Sequence, residues 1–498
     1  MNSLLNDLRN TFNYKQTENG GIAYKSTKSA VYDMFALGGA YRNRSIDDTI
    51  LLFKNAYEED KLLAIRCLFY LRDVRGGQGE RRFFRICFRW LCNNHPEDAR
   101  KLVKFLPEYG RYDDLWYATE GTYCWRNAMA LVEDQLYLDL DSKTPSLLAK
   151  WLPSANASSY ETRRMAKFVR QYLGFSKSKY RKILSTLRER IKVVEVLMSE
   201  NRWDEIEFDK IPSKAGLIYK NAFAKRDITA KKYEKFIKSE NTKVNAKTLY
   251  PYEIVNQVVK NIQWRNDDLN MSDIDRMAVE KYWNNLPNYF EGGRNQSILC
   301  VVDTSGSMTG SEASAPINMA IALGIYAGER CTGDFHNYYI SFSSRPQLIK
   351  IEGSDFADKV RRIYATNLVS NTDLKAVFDL LLNTVRNNPR AAFDLPDTIV
   401  VISDMEIDHG SYWRSDIIRK TEMQSIREQW ARCGLQLPKL VYWNVDARND
   451  TILDDGDGVS FVSGGSPVLF EQVCKGINGY DLMLDKINSP RYQQIVLD

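Results

Sequence analysis

The sequence lacks long apolar runs and has few of the residues that bind zinc. No stretch of about 18 uncharged apolar residues occurs, and the first residues show no basic segment followed by an apolar one. We therefore expect a soluble cytoplasmic protein without a membrane segment. Only 3 histidines and 8 cysteines occur among 498 residues, and no C-x-x-C pair is present. This scarcity argues against a zinc site and favours reduced structural thiols.

Charge is distributed unevenly along the chain. The formal net charge of +5 combines a basic excess up to residue 300, with 50 basic and 38 acidic residues, and an acidic excess after it, with 19 and 26. We expect the two parts of the chain to face different partners. A hydrophobic content of 44% and an aromatic content of 12% are those of a globular protein, which excludes general disorder.

Apolar residues recur at helical spacing over about residues 28–290, where alternating strand patterns are scarce. In EEDKLLAIRCLFYLRDVRGGQGERRFFRICFRWLCNN, one apolar stripe runs from Leu62 to Phe69, and the GGQG of residues 76–79 separates it from a second stripe. Similar helix pairs follow without a clean sequence period. The pattern predicts an all-α domain of HEAT-like helical repeats over residues 1–290.

After residue 296 the pattern changes to short β-rich runs separated by helical ones. The six runs are SILCVVDTS, FHNYYISFSS, QLIKIEG, DTIVVISDME, KLVYWNV and GVSFVSG. Continuous apolar strands that alternate with helices indicate a mostly parallel sheet buried on both faces. We predict an α/β doubly wound domain over residues 296–498, with its ligand at the carboxyl ends of the strands.

Small oxygen-bearing side chains follow the first of these strands, in CVVDTSGSMTG. Asp303, Ser305 and Ser307 stand at alternate positions there, in a D-x-S-x-S pattern. Hard divalent cations prefer oxygen ligands, but one tight loop supplies only part of the shell that Mg²⁺ requires. Further oxygens are available at the same predicted sheet edge, from Thr372 at the start of a helix and Asp404 directly after the strand TIVVIS.

This combination, in this order, resembles the metal-ion-dependent adhesion site of a von Willebrand factor A domain. The resemblance covers about residues 296–498 and implies a Rossmann-like fold. It also implies that Mg²⁺, or another divalent cation, is held by Asp303, Ser305, Ser307, Thr372 and Asp404. The open position of the ion would take a carboxylate from a protein partner. A serine-rich turn that caps a helix is the structural alternative, but it leaves Thr372 and Asp404 unexplained.

Basic residues of the first part concentrate in two segments. Residues 160–192 contain eleven basic and two acidic residues, and residues 220–247 contain nine more basic ones. Such ridges neutralise phosphates, although a solvated helix face is the alternative. The aromatic residues of the first segment, which either stack on unpaired bases or fill the core, are Tyr160, Tyr172, Phe175 and Tyr180. The candidate nucleic-acid-binding residues are Arg163, Arg164, Lys167, Arg170, Lys177, Lys179, Arg181 and Lys182.

The GGQG connector is itself surrounded by arginines, at positions 72, 75, 81 and 82. Glycines with positive φ explain a connector between helices. Phosphate binding by the glycine amides is the alternative. The connector interpretation leaves the arginines without a role.

A basic helical part followed by an A domain resembles the architecture of the Ro autoantigen family, whose TROVE module is a ring of helical repeats. That resemblance implies binding of misfolded and small noncoding RNAs, with single-stranded ends in the ring and duplex on its outer surface. The runs RDVRGGQGER, WLPS and IPSKA resemble a family of unknown function found in bacteriophages and plants. No single RNA-contacting residue is transferred from either family.

The sequence shows no nucleophile–base pair of an enzyme. A site rich in hydroxyl groups and poor in carboxylates suits one docked ion better than a two-metal reaction. We therefore predict a non-enzymatic RNA-binding protein, a ribonucleoprotein component, that docks a protein partner through its Mg²⁺ site. The alternative is a protein-binding scaffold or phage assembly factor that does not bind RNA.

Overall fold

The computed structural model describes residues 13–118, 121–263, 267–291, 297–309, 315–365, 372–408, 421–454 and 456–497. The strands are β1 (Tyr14–Gln16), β2 (Ile22–Tyr24), β3 (Ile262–Gln263), β4 (Asp268–Leu269), β5 (Ile298–Asp303), β6 (Tyr338–Phe342), β7 (Leu348–Lys350), β8 (Thr398–Ser403), β9 (Lys439–Asn444) and β10 (Val459–Ser463). The α-helices are α1 (Ala30–Leu37), α2 (Ile46–Glu59), α3 (Lys61–Arg72), α4 (Arg81–Asn94), α5 (Pro96–Leu102), α6 (Leu106–Tyr109), α7 (Tyr123–Asp141), α8 (Leu148–Trp151), α9 (Tyr160–Tyr172), α10 (Lys177–Ile191), α11 (Val194–Ser199), α12 (Ser213–Ala224), α13 (Asp227–Lys238), α14 (Pro251–Val259), α15 (Asp273–Asn284), α16 (Pro316–Arg330), α17 (Phe356–Ala365), α18 (Leu374–Asn387), α19 (Glu422–Arg432), α20 (Phe470–Cys474), α21 (Gly479–Ile487) and α22 (Pro490–Gln493). Short 3₁₀ helices cover Gly38–Ala40, Val103–Phe105, Tyr112–Tyr117, Trp203–Glu205, Gly306–Met308, Pro389–Asp394 and Pro467–Leu469.

The chain divides into two compact units. The sheet unit consists of Met1–Cys67, Gly76–Gln78 and Ala246–Gln493. The helical unit consists of Leu68–Arg75, Gly79–Asn245 and Gln494–Asp498. These units differ from the predicted division into residues 1–290 and 296–498, because the described residues up to Cys67 and those from Ala246 onwards belong to the sheet unit.

Hydrogen bonds explain why the N-terminal residues belong to the sheet unit. The hydroxyl of Tyr32, on α1, accepts a hydrogen bond from the backbone N–H of Phe461 at 2.9 Å. The N–H of Gly39 donates to Ser463 Oγ, also at 2.9 Å. A Cβ atom at Gly39 would lie 2.7 Å from the carbonyl oxygen of Ser463, so this close approach of two backbones requires glycine.

All six strands predicted after residue 296 are present in one sheet. Its order is β10-β9-β8-β5-β6-β7, and only the β6–β7 pair is antiparallel. Every residue of β5 and β8 is buried, as expected for central strands covered on both faces. The edge strand β10 is buried throughout as well, because N-terminal residues such as Tyr32 of α1 pack on it. Helix α16 is buried along most of its length and lies close to β5, because Gly324 leaves room for Val302. The prediction of a mostly parallel α/β sheet is confirmed.

The helical unit contains no strand among its described residues. The predicted all-α class of residues 1–290 holds only in part, because this region is mostly helical but also contains the short hairpins β1–β2 and β3–β4, which belong to the sheet unit. Helix α3 ends at Arg72 and α4 begins at Arg81, so the predicted break at the GGQG is also confirmed. Gly79 has a φ of 68°, a conformation that favours glycine. Phe69 and Phe84 join the two helices in an edge-to-face contact at 5.3 Å between ring centroids. HEAT-like stacking stays a prediction.

No helix among the described residues is long and apolar enough to cross a membrane. All eight cysteines have free thiols, and only Cys433 is exposed.

Candidate metal centre and nucleic-acid interface

The predicted metal ligands lie at the topological switch point of the sheet, between β5 and β8. From β5 the chain continues to β6 on one side, whereas β8 lies on the other side. The loops after β5 and β8 therefore diverge, and this switch point is where open α/β sheets bind their ligands. Asp303 is the last residue of β5, and Asp404 directly follows β8. The strand order thus brings together two aspartates that are 101 positions apart in the sequence.

One hydrogen-bond network joins all five predicted ligands. Ser305 donates its backbone N–H to Asp303 Oδ1 at 2.8 Å, and its hydroxyl lies 3.0 Å from that of Ser307. Ser403 Oγ donates to Asp303 Oδ2 at 2.5 Å and lies 3.5 Å from Asp404 Oδ1.

Thr372 enters the network through Glu406. Its hydroxyl donates to the carbonyl oxygen of Glu406 at 3.0 Å, and the N–H of Glu406 donates to Asp404 Oδ1 at 3.1 Å. The sequence prediction therefore placed all five residues at one sheet edge correctly.

Two of the buried carboxylates at this site, Asp303 and Asp404, repel each other. Burial and the neighbouring Asp404 raise the pKa of Asp303 to about 6. Burial and Asp404 also raise the pKa of Asp446, which follows β9. A cation placed among these groups would favour their ionised forms.

The guanidinium group of Arg448 is a positive charge within the site. Its Nη2 lies 2.7 Å from Asp404 Oδ2, and its Nη1 lies 2.8 Å from Glu18 Oε2. Among the described cationic side chains none pairs with Asp303. Arg448 therefore neutralises Asp404 and leaves Asp303 without an ion-pair partner among the described residues.

Sequence reasoning missed the contribution of the N-terminal hairpin β1–β2. Between its strands, the N–H of Glu18 donates to Glu406 Oε2 at 2.6 Å, and the amide of Asn19 donates to the carbonyl oxygen of Glu406 at 2.7 Å. The hydroxyl of Thr17 donates to the carbonyl oxygen of Ile407 at 2.7 Å. No local pattern could have shown these contacts, because their partners are about 390 positions apart.

The donor set fits a hard divalent cation. All five side chains offer oxygen, the atom that Mg²⁺ and Ca²⁺ prefer. The Asp303 carboxylate is buried beside a second carboxylate and has no cationic partner in the described part of the chain. No cluster of three or more His, Cys, Asp or Glu residues suited to a metal occurs within the described ranges. The predicted set contains only two such residues, Asp303 and Asp404, and its other three ligands are hydroxyl groups.

The predicted nucleic-acid residues lie on two consecutive helices of the helical unit, α9 and α10. Arg170 is half-buried, and the exposed residues are Arg163, Arg164, Lys167, Lys177, Lys179, Arg181 and Lys182. These helices bury Ala166 and Val169 on α9, and Leu184 and Leu187 on α10. The cationic side chains therefore project from packed helices, as the sequence predicted.

Some of these residues also have structural contacts. Arg163 donates to the carbonyl oxygens of Ala157 and Ser158, at 2.7 and 2.5 Å. Arg170 donates to the carbonyl oxygen of Phe175 at 2.9 Å. Among the eight candidates, four side chains have no partner in the described part of the molecule: Lys167, Lys177, Arg181 and Lys182. These four are the better probes of ligand binding, because changing them removes no contact within the protein.

The interleaved aromatic residues divide into two kinds. Phe175 and Tyr180 are buried, and the hydroxyl of Tyr180 donates to the carbonyl oxygen of Pro153 at 2.9 Å. Tyr160 is 68% exposed and Tyr172 is 44% exposed. The sequence left open whether these rings stack on bases or fill the core, and the ring of Tyr172 is on the surface. Two aromatic rings are thus accessible beside the cationic residues.

The second basic segment is largely solvent-facing. On α13 the exposed residues include Lys231, Lys232, Lys235 and Lys238, whereas Tyr233 and Phe236 are buried. Lys220 is an exception, because it is buried on α12. This segment is an amphipathic helix with a cationic outer face.

Family profiles match both parts of the chain. The profile described as Domain of unknown function (DUF2828) matches residues 17–108 and 126–290. The profile described as Domain of unknown function (DUF7788) matches residues 297–477. A curated relative, "Uncharacterized protein L728" of Acanthamoeba polyphaga mimivirus, is 29% identical over 503 residues, which cover 92% of this chain and 84% of that protein.

A solved structure shares the fold. The crystal structure of the Ro (RSR) protein of Deinococcus radiodurans aligns with 91% of this chain and 100% of its own, with a TM-score of 0.50 and 15% sequence identity. At this identity the comparison shows likeness of fold alone. The predicted Ro-like fold is thereby supported.

Proposed function

The chain belongs to the family described as Domain of unknown function (DUF2828), and we propose that it is an RNA-binding protein of the Ro type. The observation that carries this proposal is the cationic surface on α9 and α10, where unpartnered basic side chains stand beside exposed Tyr160 and Tyr172. Such a surface attracts the phosphates of a nucleic acid, and accessible aromatic rings can stack on its unpaired bases. The Ro-like fold supports RNA as the ligand.

Binding to a labelled RNA with a duplex and a single-stranded 3′ tail tests this proposal. A blunt duplex and a DNA of matched sequence are compared with it across a salt series. We expect the tailed RNA to bind most tightly, because only unpaired bases can stack on the two tyrosines. We also expect the affinity to fall steeply with salt, as counterion release requires.

A double charge reversal locates the interface. Lys167→Glu with Arg181→Glu should weaken RNA binding at least tenfold and reduce the slope of log K against log salt by roughly 1.4–1.8, since two phosphate contacts are lost. The matched control is Lys104→Glu with Lys143→Glu, two exposed residues of the same unit outside the α9–α10 surface. Equal effects of the two double variants would exclude this surface as the interface.

Stacking is tested separately. Tyr160→Ala with Tyr172→Ala should lower the affinity for the tailed RNA by about one to two orders of magnitude and leave that for the blunt duplex unchanged. If the wild-type chain binds no RNA even at low salt, the protein-scaffold function replaces this proposal.

The proposal includes a metal-dependent docking site on the sheet unit. Asp303, Ser305, Ser307, Thr372 and Asp404 would hold Mg²⁺, and the bound ion would supply a Lewis-acidic position for a carboxylate of a protein partner. What supports this is the network that joins these five side chains. With only two aspartates in the set, the site is suited to binding and not to two-metal catalysis.

A further inference from the structure

The arginines around the GGQG connector form a cluster that the α9–α10 surface does not use. Three arginines alternate with two aspartates in one network of ion pairs, and a fourth arginine stands beside it. Four positive and two negative charges leave a formal excess of two positive charges. From the core outwards, the members are Arg72, Asp114, Arg85, Asp113 and Arg111, with Arg81 beside them.

The inner part of this cluster is structural. Arg72 is only 2% exposed, and its Nη2 lies 2.7 Å from Asp114 Oδ2. Arg85 Nε lies 2.6 Å from the other oxygen of the same fully buried carboxylate. The aspartate thereby fixes α3 and α4 to the 3₁₀ helix Tyr112–Tyr117, and its charge is fully used.

The outer part holds two guanidinium groups in place near the surface. Arg85 Nη2 and Arg111 Nη2 each lie 2.7 Å from Oδ2 of Asp113. The guanidinium carbon of Arg111 lies 4.0 Å from the ring centroid of Trp151, and the Arg111 side chain is 29% exposed. Arg85 lies in the same way over the ring of Tyr117, at 4.3 Å. Because the ion pairs and these rings restrict both arginines before any ligand binds, little side-chain entropy remains to be lost on binding.

Arg81 supplies the uncompensated charge. It is exposed at the first position of α4, and no described carboxylate pairs with it. Burial and then the like charges of Arg111 and Arg85 lower the pKa of Arg81, and Asp113 offsets this only in part. The first turn of α4 contains no acidic residue, and Glu80 makes no capping hydrogen bond through its side chain. The positive end of the helix dipole lies at the same place, where the carboxylate of the N-cap residue Glu80 offsets part of it.

We propose that Arg81, Arg85 and Arg111 bind a phosphate group at the start of α4. Guanidinium groups match the oxygens of a phosphate with paired hydrogen bonds, and an anion here relieves the repulsion among the three arginines. We take the backbone of RNA as the source of the phosphate, so the inference rests on the proposed function and adds a second contact region to it. Free phosphate is the other source, and the experiment separates the two.

The test compares Arg81→Gln with Arg82→Gln in the full chain. Both arginines are exposed and adjacent, and both substitutions remove one charge from the first turn of α4. Arg82 points about 100° away around the helix and is not part of the network. Since Arg81 makes no described ion pair and is repelled by Arg85 and Arg111, we expect neither change to lower the melting temperature. The melting temperatures of both variants are measured first, so that unfolding is not mistaken for lost binding.

Two ligands are then titrated. With the tailed RNA, Arg81→Gln should weaken binding about tenfold and reduce the salt slope by about 0.7, whereas Arg82→Gln should change the affinity less than twofold. With inorganic phosphate, followed by calorimetry, Arg81→Gln should lower the affinity and Arg82→Gln should not.

The outcomes separate this inference from the proposed function. If the wild type binds RNA and both substitutions act equally, the site is wrong and the RNA function stands. If the wild type binds phosphate through Arg81 but binds no RNA, the site stands with free phosphate as its ligand and the RNA function fails. Binding of neither ligand overturns both.

Discussion

Replacing Asp303 by asparagine should stabilise the metal-free protein and remove its response to Mg²⁺. Burial and Asp404 raise the pKa of Asp303 from 3.8 to about 6. One pKa unit corresponds to about 1.4 kcal/mol, so the ionised carboxylate costs about 3 kcal/mol at neutral pH. Asparagine still accepts from the Ser305 N–H and donates to Ser403 Oγ, at a loss of about 1 kcal/mol in hydrogen bonding. The free energy of unfolding should therefore rise by about 2 kcal/mol.

The assay is denaturant unfolding of the wild type and Asp303→Asn, in EDTA and in excess Mg²⁺. A ligand at a hundred times its Kd stabilises the folded state by about 2.7 kcal/mol, and we expect a gain of this order only in the wild type. Asp397→Asn is the control, because Asp397 is exposed and lies just before β8, at the opposite end of that strand from Asp404. It should alter neither the stability in EDTA nor the response to Mg²⁺.

The pH dependence in EDTA gives an independent check on the sign. A carboxylate whose pKa is higher in the folded state than in the unfolded state destabilises the fold once the pH exceeds the unfolded value. The penalty from Asp303 is therefore absent below about pH 4 and complete above about pH 6. The wild type should lose stability relative to Asp303→Asn across that interval. A variant less stable than the wild type at pH 7 in EDTA, or equally stabilised by Mg²⁺, would refute the reasoning.

Two further substitutions test the ion pairs. Arg448→Gln should lower the free energy of unfolding in EDTA by about 2 kcal/mol and increase the gain from Mg²⁺, because the ion replaces the charge that Asp404 has lost; an unchanged gain would contradict this. Asp114→Asn should cost about 3 kcal/mol in denaturant unfolding, since it leaves Arg72 buried without a counter-charge. The exposed Asp141→Asn is its control, and equal losses would show that the buried pair has no special weight.

The co-location of the proposed metal ligands could be predicted from sequence because these residues coincide with the ends of strands and the start of a helix. The apolar runs define β5 and β8, and a parallel sheet places their carboxyl ends at one edge. Once the strands are known, Asp303 and Asp404 must lie near each other. Thr372 comes directly before Asp373, which caps α18, so the start of that helix locates it as well.

The counter-charge of this centre could not be predicted. Arg448 follows β9 in a stretch with no motif, and its two partners, Glu18 and Asp404, are far away in sequence. Counting the charges of each segment does not show which of them form ion pairs in the folded protein. The same limit applies on α9, where Arg163 and Arg170 look like free cationic groups in sequence but bind backbone carbonyls.

The predicted boundary at residue 290 differs from the boundary of the compact units because helical periodicity alone does not assign a helix to a domain. Spacing shows which side of a helix is apolar, but not which core that side enters. Helices α14 and α15 precede residue 290 and still pack in the sheet unit. Asn318 on α16 donates to Asn256 on α14 at 2.8 Å, and Trp283 on α15 stacks on Phe356 of α17 at 4.1 Å between ring centroids.

The location of the N-terminal hairpin has a consequence for the proposed metal site. Thr17, Glu18 and Asn19 hold the Glu406–Ile407 segment that directly follows Asp404, and Glu18 also orients Arg448. A fragment that begins at residue 296 lacks this support and exposes the faces that α14 and α15 cover. Its carboxylates would lose both their geometry and part of their counter-charge. We therefore predict that the proposed response to Mg²⁺ requires the whole sheet unit, including residues that precede the strands by almost 300 positions.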